Sequence, residues 1–418
     1  MILPPTLRRW WLAPLLALAA WRILSLGLAD HYADAQPERA LRWQPDHPEA
    51  LIRAAEQALN DPAGLDRASA LARRAATANP LDGRPYRILG AVAEQRGDTD
   101  RATQLYTLAV RHSPRDLPSL AWLMRHRLLE GRIDEGLTYL DAQLRVQPNL
   151  AGTLFPTLIA ALDASGGQLP LAQTLAGNPR WRAGFLNRLA RDARSTDAVT
   201  AVFEQLAATP GGLTDAERRA YVERLIRDHR WQQARRAWAA GLPAQHRPAD
   251  QLVFDGGFEL PAGGYGFDWR IDPIAGATIE RLAGPGITGN RALYIEFQDR
   301  RVRFAHVRQL LTLAPGHYRL AARYRLDGLR NERGLNWTLQ CAENPSARLG
   351  SSRRLTGSSP WSTLELDFDV PAENCGAQWL RLELAARIPA ETQIGGRAWF
   401  DDITIIPLPT IEAAGVAH

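Results

Sequence analysis

Three stretches decide how the C-terminal third folds: Ala292-Leu293-Tyr294-Ile295-Glu296-Phe297, His317-Tyr318-Arg319-Leu320-Ala321-Ala322-Arg323-Tyr324 and Trp379-Leu380-Arg381-Leu382-Glu383-Leu384. Each alternates apolar and polar side chains. Successive side chains of a strand point to opposite sheet faces, so this pattern marks strands with one buried face. Gly, Pro and Asn separate such runs every ten residues or so, and Pro315-Gly316 sets a turn directly before the second. Short alternating strands with regular turns predict an antiparallel β-sandwich over residues 252–407.

The sandwich region opens with Phe254-Asp255-Gly256-Gly257-Phe258-Glu259 and closes with Ala398-Trp399-Phe400-Asp401-Asp402-Ile403. Trp269 follows soon after the opening, Gly316-His317-Tyr318-Arg319-Leu320 follows a proline, and Trp361 precedes the run 363–370. On these motifs the region resembles the jelly-roll carbohydrate-binding modules of the family 4, 9 and 22 type, which are similar in fold to galactose-binding domains. The resemblance implies a lectin-like domain and a structural calcium near the paired chain ends. Glu259, Asp401 and Asp402 are the matching oxygen donors. A cap or salt bridge at an edge strand is the competing role for each.

Upstream, Pro80, Pro114 and Pro148 recur every 34 residues. Small or apolar residues keep step: Ala68, Ala102 and Gly136; Ala72, Tyr106 and Leu140; Ala75 and Ala109. Small residues let helices cross closely, and proline ends the second helix of each pair. The period resembles the tetratricopeptide repeat, with the central copy at 83–114 the best match. The expectation is a helical solenoid over residues 46–242, its later hairpins atypical, joined by a linker to the sandwich. Such a solenoid either docks a protein in its groove or serves as a spacer. Arg73, Arg74, Arg87 and Arg125 either line that groove or are solvated helix faces.

Arg8 and Arg9 precede an apolar run over residues 10–29, interrupted by Pro14 and Arg22. Its length suits a bilayer core of about 30 Å, with the positive end inside. The run reads as a signal anchor over residues 1–30. A cleaved signal peptide, cut near Ala33-Asp34-Ala35, is the alternative. Either exports the chain. The expected location is the bacterial inner membrane, crossed once, with the bulk periplasmic and residues 408–418 a tail. Export makes a disulfide between Cys341 and Cys375 the expectation over two free thiols.

At 418 residues the chain is too long for one core. Its net charge is +5, and all 50 basic residues are Arg. Without lysine there is no phosphate-loop lysine and no Schiff base. Arg is interspersed with Asp and Glu rather than run together, so no nucleic-acid partner is indicated.

Sugar recognition needs aromatic faces and a few oriented polar groups. Tyr265 and Trp269 lie in a Gly-rich loop, and Trp337 lies beside Asn331, Arg333 and Asn336. Tyr265, Trp269, Asn336 and Trp337 are therefore the candidate glycan-binding residues, with core packing as the rival role for each aromatic. No catalytic residue is assigned. Arg303, His306, His317 and Tyr318 mimic the sets of jelly-roll lyases, but alternation puts His317 and Tyr318 on opposite faces.

The predicted architecture is multidomain, α then β: membrane helix, tetratricopeptide-like α-solenoid, antiparallel jelly-roll sandwich. The function implied is a non-catalytic scaffold, accessory to exopolysaccharide or surface-glycan assembly or export. It would contact glycan through the sandwich, a protein through the solenoid and membrane through the first helix. A purely protein-binding module and, more remotely, a polysaccharide lyase or hydrolase are the alternatives.

Overall fold

The computed structural model describes residues 12–165, 168–248, 251–344 and 346–409. Arg8, Arg9, Trp10, Gly166, Gly167 and most of the tail lie outside them. The chain divides into two compact units, residues 1–185 and 186–418.

The first unit is helical. Helix α1 (Leu12–Tyr32) is long and apolar enough to cross a membrane. Pro14 sits in its first turn, where a missing N–H costs little. Leu15, Leu16, Leu18 and Ile23 are exposed on it. Its far end is packed: Ala33 clusters with Ala40 and Ala50, which come from α2 (Pro37–Trp43) and α3 (Pro48–Leu59). His47 Nε2 lies 2.7 Å from Asp30.

Helices α4 (Leu65–Ala78), α5 (Gly83–Gln95), α6 (Thr99–His112), α7 (Leu117–Leu129) and α8 (Ile133–Val146) follow. Pro80, Pro114 and Pro148 each come two residues after the end of α4, α6 or α8. Asp82, Asp98 and Asp116 cap the next helices by accepting from Arg84, Arg101 and Ser119 N–H groups at 2.9, 3.0 and 3.1 Å. Gly97 and Gly131 turn the chain with φ of 77° and 76°. The small positions do what small residues allow. Ala68, Ala72, Ala75, Ala102 and Ala109 are buried, and a Cβ on Gly90 would meet the Tyr106 ring at 3.2 Å. The arginines Arg74, Arg87 and Arg125 pair with Asp46, Glu56 and Glu94, which lie 28, 31 and 31 residues upstream. They form a solvated ion-pair face. Helices α9 (Ala151–Ser165) and α10 (Gln168–Ala176) complete the unit, whose boundary falls inside α11 (Arg182–Asp192).

The second unit begins with α12 (Thr196–Ala207), α13 (Asp215–Arg227) and α14 (Trp231–Ala239). A reciprocal capping box, Thr214 with Glu217, starts α13. Ten strands follow. β1 (Arg270–Ile271), β4 (Val307–Leu311), β9 (Gln378–Leu384), β6 (Leu335–Cys341) and β7 (Arg348–Ser351) form one sheet in that order. β2 (Ala277–Leu282), β3 (Ala292–Arg301), β10 (Gln393–Pro407), β5 (Gly316–Arg330) and β8 (Gly357–Val370) form the other. All pairings are antiparallel. We call the two sheets A and B. The chain passes repeatedly between them, which gives a five-on-five sandwich.

The alternations read from sequence face as expected. Leu380, Leu382 and Leu384 are buried while Trp379, Arg381 and Glu383 face outward. Cys341 and Cys375 are disulfide-bonded, with Cα atoms 4.9 Å apart. The opening and closing motifs meet: Ile403 N donates to Gly256 O at 3.0 Å. A Cβ on Gly256 would lie 1.9 Å from Ile403 O, so only glycine permits this approach.

Candidate functional site

Two of the four residues expected to bind glycan are core. Trp269 is 1 % exposed and Trp337 is 0 % exposed, and their rings meet 5.9 Å apart inside the sandwich. Phe258 packs on Trp269 at 4.8 Å, and Phe400 meets Trp337 edge-on at 5.5 Å. No face of either ring is free to stack on a ligand. The Gly-rich loop that suggested exposure for Trp269 is docked on helices. Gly266 N donates to Glu223 at 3.1 Å, and a Cβ on Gly266 would strike Trp238 at 2.6 Å. Tyr265 is half-buried with the Arg219 guanidinium 4.8 Å over its ring.

The fourth residue, Asn336, leads elsewhere. It lies on β6 facing away from the core, on the outer face of sheet A. The register there builds a row across all five strands. Arg270 of β1 opposes Arg308 of β4, which opposes Arg381 of β9, which opposes Thr338 of β6, which opposes Ser351 of β7. Like charges directly opposite each other destabilise a sheet. Here three guanidinium groups stand in line. One step along, Trp379 lies beside Gln340. Arg270, Arg308 and Arg381 surround the Trp379 ring, with centroid distances of 5.3, 5.5 and 5.6 Å.

Charge compensation is incomplete. Arg270 pairs with Glu223 at 2.8 Å, Arg308 with Asp272 at 3.2 Å and Arg348 with Glu383 at 2.9 Å. Arg381 makes no ion pair or hydrogen bond among the described residues. Burial first, and Arg308 second, hold its guanidinium below the usual value, with Glu383 acting in the opposite direction. The Nε atoms of Arg270, Arg308 and Arg381, Thr338 Oγ1 and Asn336 Oδ1 are all buried without a hydrogen-bond partner among the described residues. Thr338 is 0 % exposed and Asn336 is 3 % exposed. Buried polar atoms are ordinarily paired, so five orphans on one face need an explanation.

The outer face of sheet B is built differently. Arg397 sits between Glu296 at 3.6 Å and Asp327 at 3.4 Å, and Arg319 grips Asp367 through two bonds. Trp399 there packs with Tyr294 at 5.1 Å beneath Arg325 at 4.9 Å.

The residues expected to hold calcium do not fit a metal. Glu259 Oε1 accepts from the amides of Asn290 and Arg291 at 2.8 and 3.1 Å. Asp401 is fully buried, and its oxygens accept from the Thr288 and Asp402 amides at 2.7 and 2.8 Å. Burial raises its carboxyl pKa. The cationic role beside these carboxylates falls to Arg323. Its guanidinium lies 3.3 Å from Asp402 and 3.9 Å from Asp401, donates to Gly286 O at 2.8 Å, and bonds the Thr288 hydroxyl. Donors rather than further oxygen ligands thus surround the carboxylates, and no cluster of three His, Cys, Asp or Glu suited to a metal occurs among the described residues.

The lyase-like set is not assembled. His317 pairs with Asp369 in sheet B, Tyr318 is buried with its hydroxyl on Ala314 O at 2.9 Å, and His306 lies against Phe304 at the start of β4 in sheet A. In the first unit, a cavity of about 780 Å³ is lined by Leu144, Arg145, Pro148, Phe155, Arg180 and Trp181 among others. Trp181 Nε1 donates to Asp141 there at 2.9 Å.

Sequence reasoning left Trp379 and Arg381 out of the candidate binding residues. The signal that finds them is the alternation of their strand: it puts both outward beside Asn336 and Thr338.

No protein-family model and no curated protein matches the chain. Among solved structures, a family 4 carbohydrate-binding module is similar at 18 % identity and a TM-score of 0.29, covering 37 % of this chain and 99 % of that one. A xylan-binding domain of family 22 is similar at 14 % identity and a TM-score of 0.27, covering 38 % and 97 %. A family 61 module in complex with β-1,4-galactotriose is similar at 17 % identity and a TM-score of 0.27, covering 38 % and 100 %.

Proposed function

We propose that the protein is a non-catalytic glycan-binding scaffold, and that the outer face of sheet A is its binding face. One observation carries this: the row Arg270–Arg308–Arg381–Thr338 beside Trp379, with unpartnered buried donors and acceptors along it. A sugar supplies what the face lacks. Its ring offers C–H surface to Trp379, and its hydroxyls answer the guanidinium groups around that ring. The motif resemblance of residues 254–403 to carbohydrate-binding modules points the same way. Binding rather than turnover is favoured by the scattered placement of His306, His317 and Tyr318.

The chain is anchored in the bacterial inner membrane by α1, with the rest periplasmic. The packing of Ala33 against Ala40 and Ala50 supports an uncleaved anchor, because it makes the end of α1 part of the helical unit. The disulfide supports an oxidising compartment. In this reading the tetratricopeptide-like helices dock a protein of a glycan assembly or export system. The cavity beside Phe155 and Trp181 is the place to look for it. The test is affinity electrophoresis of the full chain in detergent through gels containing extracellular polysaccharides of the host. Retardation in at least one is expected. Free migration in all would move the function to protein binding alone.

A further inference from the structure

Resting on the reading of sheet A's outer face as a glycan site, we propose that its ligand is an anionic saccharide, a polymer bearing uronic-acid carboxylates. A carboxylate sits on the Arg381 guanidinium and the pyranose ring beside it packs on Trp379.

A neutral glycan satisfies hydroxyl partners but leaves the charge imbalance of the face untouched. Four guanidinium groups, Arg270, Arg308, Arg348 and Arg381, face three carboxylates, Glu223, Asp272 and Glu383. The surplus cation is Arg381, in the middle strand of the five and directly opposite Arg308. Arg381 has no carboxylate partner among the described residues, and a guanidinium, which only donates, matches an acceptor-only group. A planar carboxylate matches the guanidinium fork geometrically, and it relieves the Arg308–Arg381 opposition by placing negative charge between the two. Sheet B's outer face sharpens the contrast. There Arg319 and Arg397 face carboxylates of the protein's own strands, so those guanidinium groups are already answered.

The test is titration calorimetry of the full chain in detergent. The probes are polygalacturonate, alginate and glucuronoxylan, each beside its carboxyl-reduced form, with polyglutamate as a non-sugar polyanion. At least one uronate polymer is expected to bind about tenfold or more tightly than its reduced form, the size of a charge-assisted bond. That preference should shrink as salt rises. Arg381→Thr should abolish the preference, bringing each uronate polymer to the affinity of its reduced form. Equal binding of each polymer and its reduced form overturns the anionic assignment and leaves the glycan face standing. Polyglutamate binding as well as the best uronate overturns the saccharide part. No binding to any polymer overturns both. A variant that fails to melt cooperatively is replaced by Arg381→Gln, which keeps the aliphatic stem, and the same comparison decides.

Discussion

Arg381→Thr should make the second unit more stable while removing its ligand preference. Arg381 opposes Arg308 on one side and Thr338 on the other. Deleting the guanidinium removes a like-charge opposition costing about 0.2–1 kcal/mol. It also removes a buried donor without an acceptor, which costs about 1–3 kcal/mol. Against this stands the loss of the guanidinium over Trp379, worth about 0.5–1 kcal/mol, together with the packing of the side-chain stem. Threonine suits a strand. The balance favours the variant by about 1 kcal/mol, which for a unit of residues 186–418 raises the melting temperature by about 2–4 °C. Differential scanning calorimetry of the full chain, wild type beside variant, measures it. A residue kept for structure would behave oppositely. A loss of about 1 kcal/mol or more would mean that Arg381 stabilises the face, and the argument from uncompensated charge would be wrong.

Replacing both Cys341 and Cys375 by Ala releases a link between residues 34 apart. Loop entropy sets the cost at about 3–4 kcal/mol, read from urea unfolding of the full chain; an unchanged midpoint would count against it. Chelator should leave the melting temperature where it is, whereas Arg323→Ala should lower it by leaving Asp401 and Asp402 without their cation, at a cost of about 1–3 kcal/mol. A clear drop with chelator alone would restore calcium to the site. Asp255 gives a pH signature. Burial first pushes its carboxyl up to about 6, against backbone N–H bonds from Leu260 and Glu259 that lower it. Its folded value thus lies above the unfolded one near 3.9, so the folded state holds the proton more tightly. This group's contribution therefore improves as pH falls through 6 and levels off below about 4. Relative to Asp255→Asn, the wild type should gain stability between pH 7 and 5; a constant difference in urea midpoints would refute the assignment.

The order of the fold was readable because its signals are local. The outward Arg381 and inward Leu380 and Leu382 follow from a period of two, and the prolines two residues past α4, α6 and α8 follow from what proline forbids. The disulfide followed from compartment and count. The site was less readable, and the reason is specific. Trp337 lies between Leu335 and Leu339 in the alternation, which places it inward, yet neighbouring Asn and Arg residues made it look like a ligand contact. Trp269 sat among glycines that suggested an open loop, but one of them, Gly266, permits close approach of α14 at Trp238. The row of three arginines was invisible because residues 270, 308 and 381 meet only through strand order, which no local pattern states. The Arg323 contacts with Asp401 and Asp402 were hidden for the same reason.

The central claim is that glycan binds the outer face of sheet A. Trp379 and Trp399 offer a matched pair, since each is a half-buried outward tryptophan under arginine, one on each sheet. The decisive measurement is affinity electrophoresis of the full chain, of Trp379→Ala and of Trp399→Ala in one polysaccharide gel that retards the wild type. Trp379→Ala is expected to run free and Trp399→Ala to be retarded as before. Retardation of Trp379→Ala equal to wild type would contradict it.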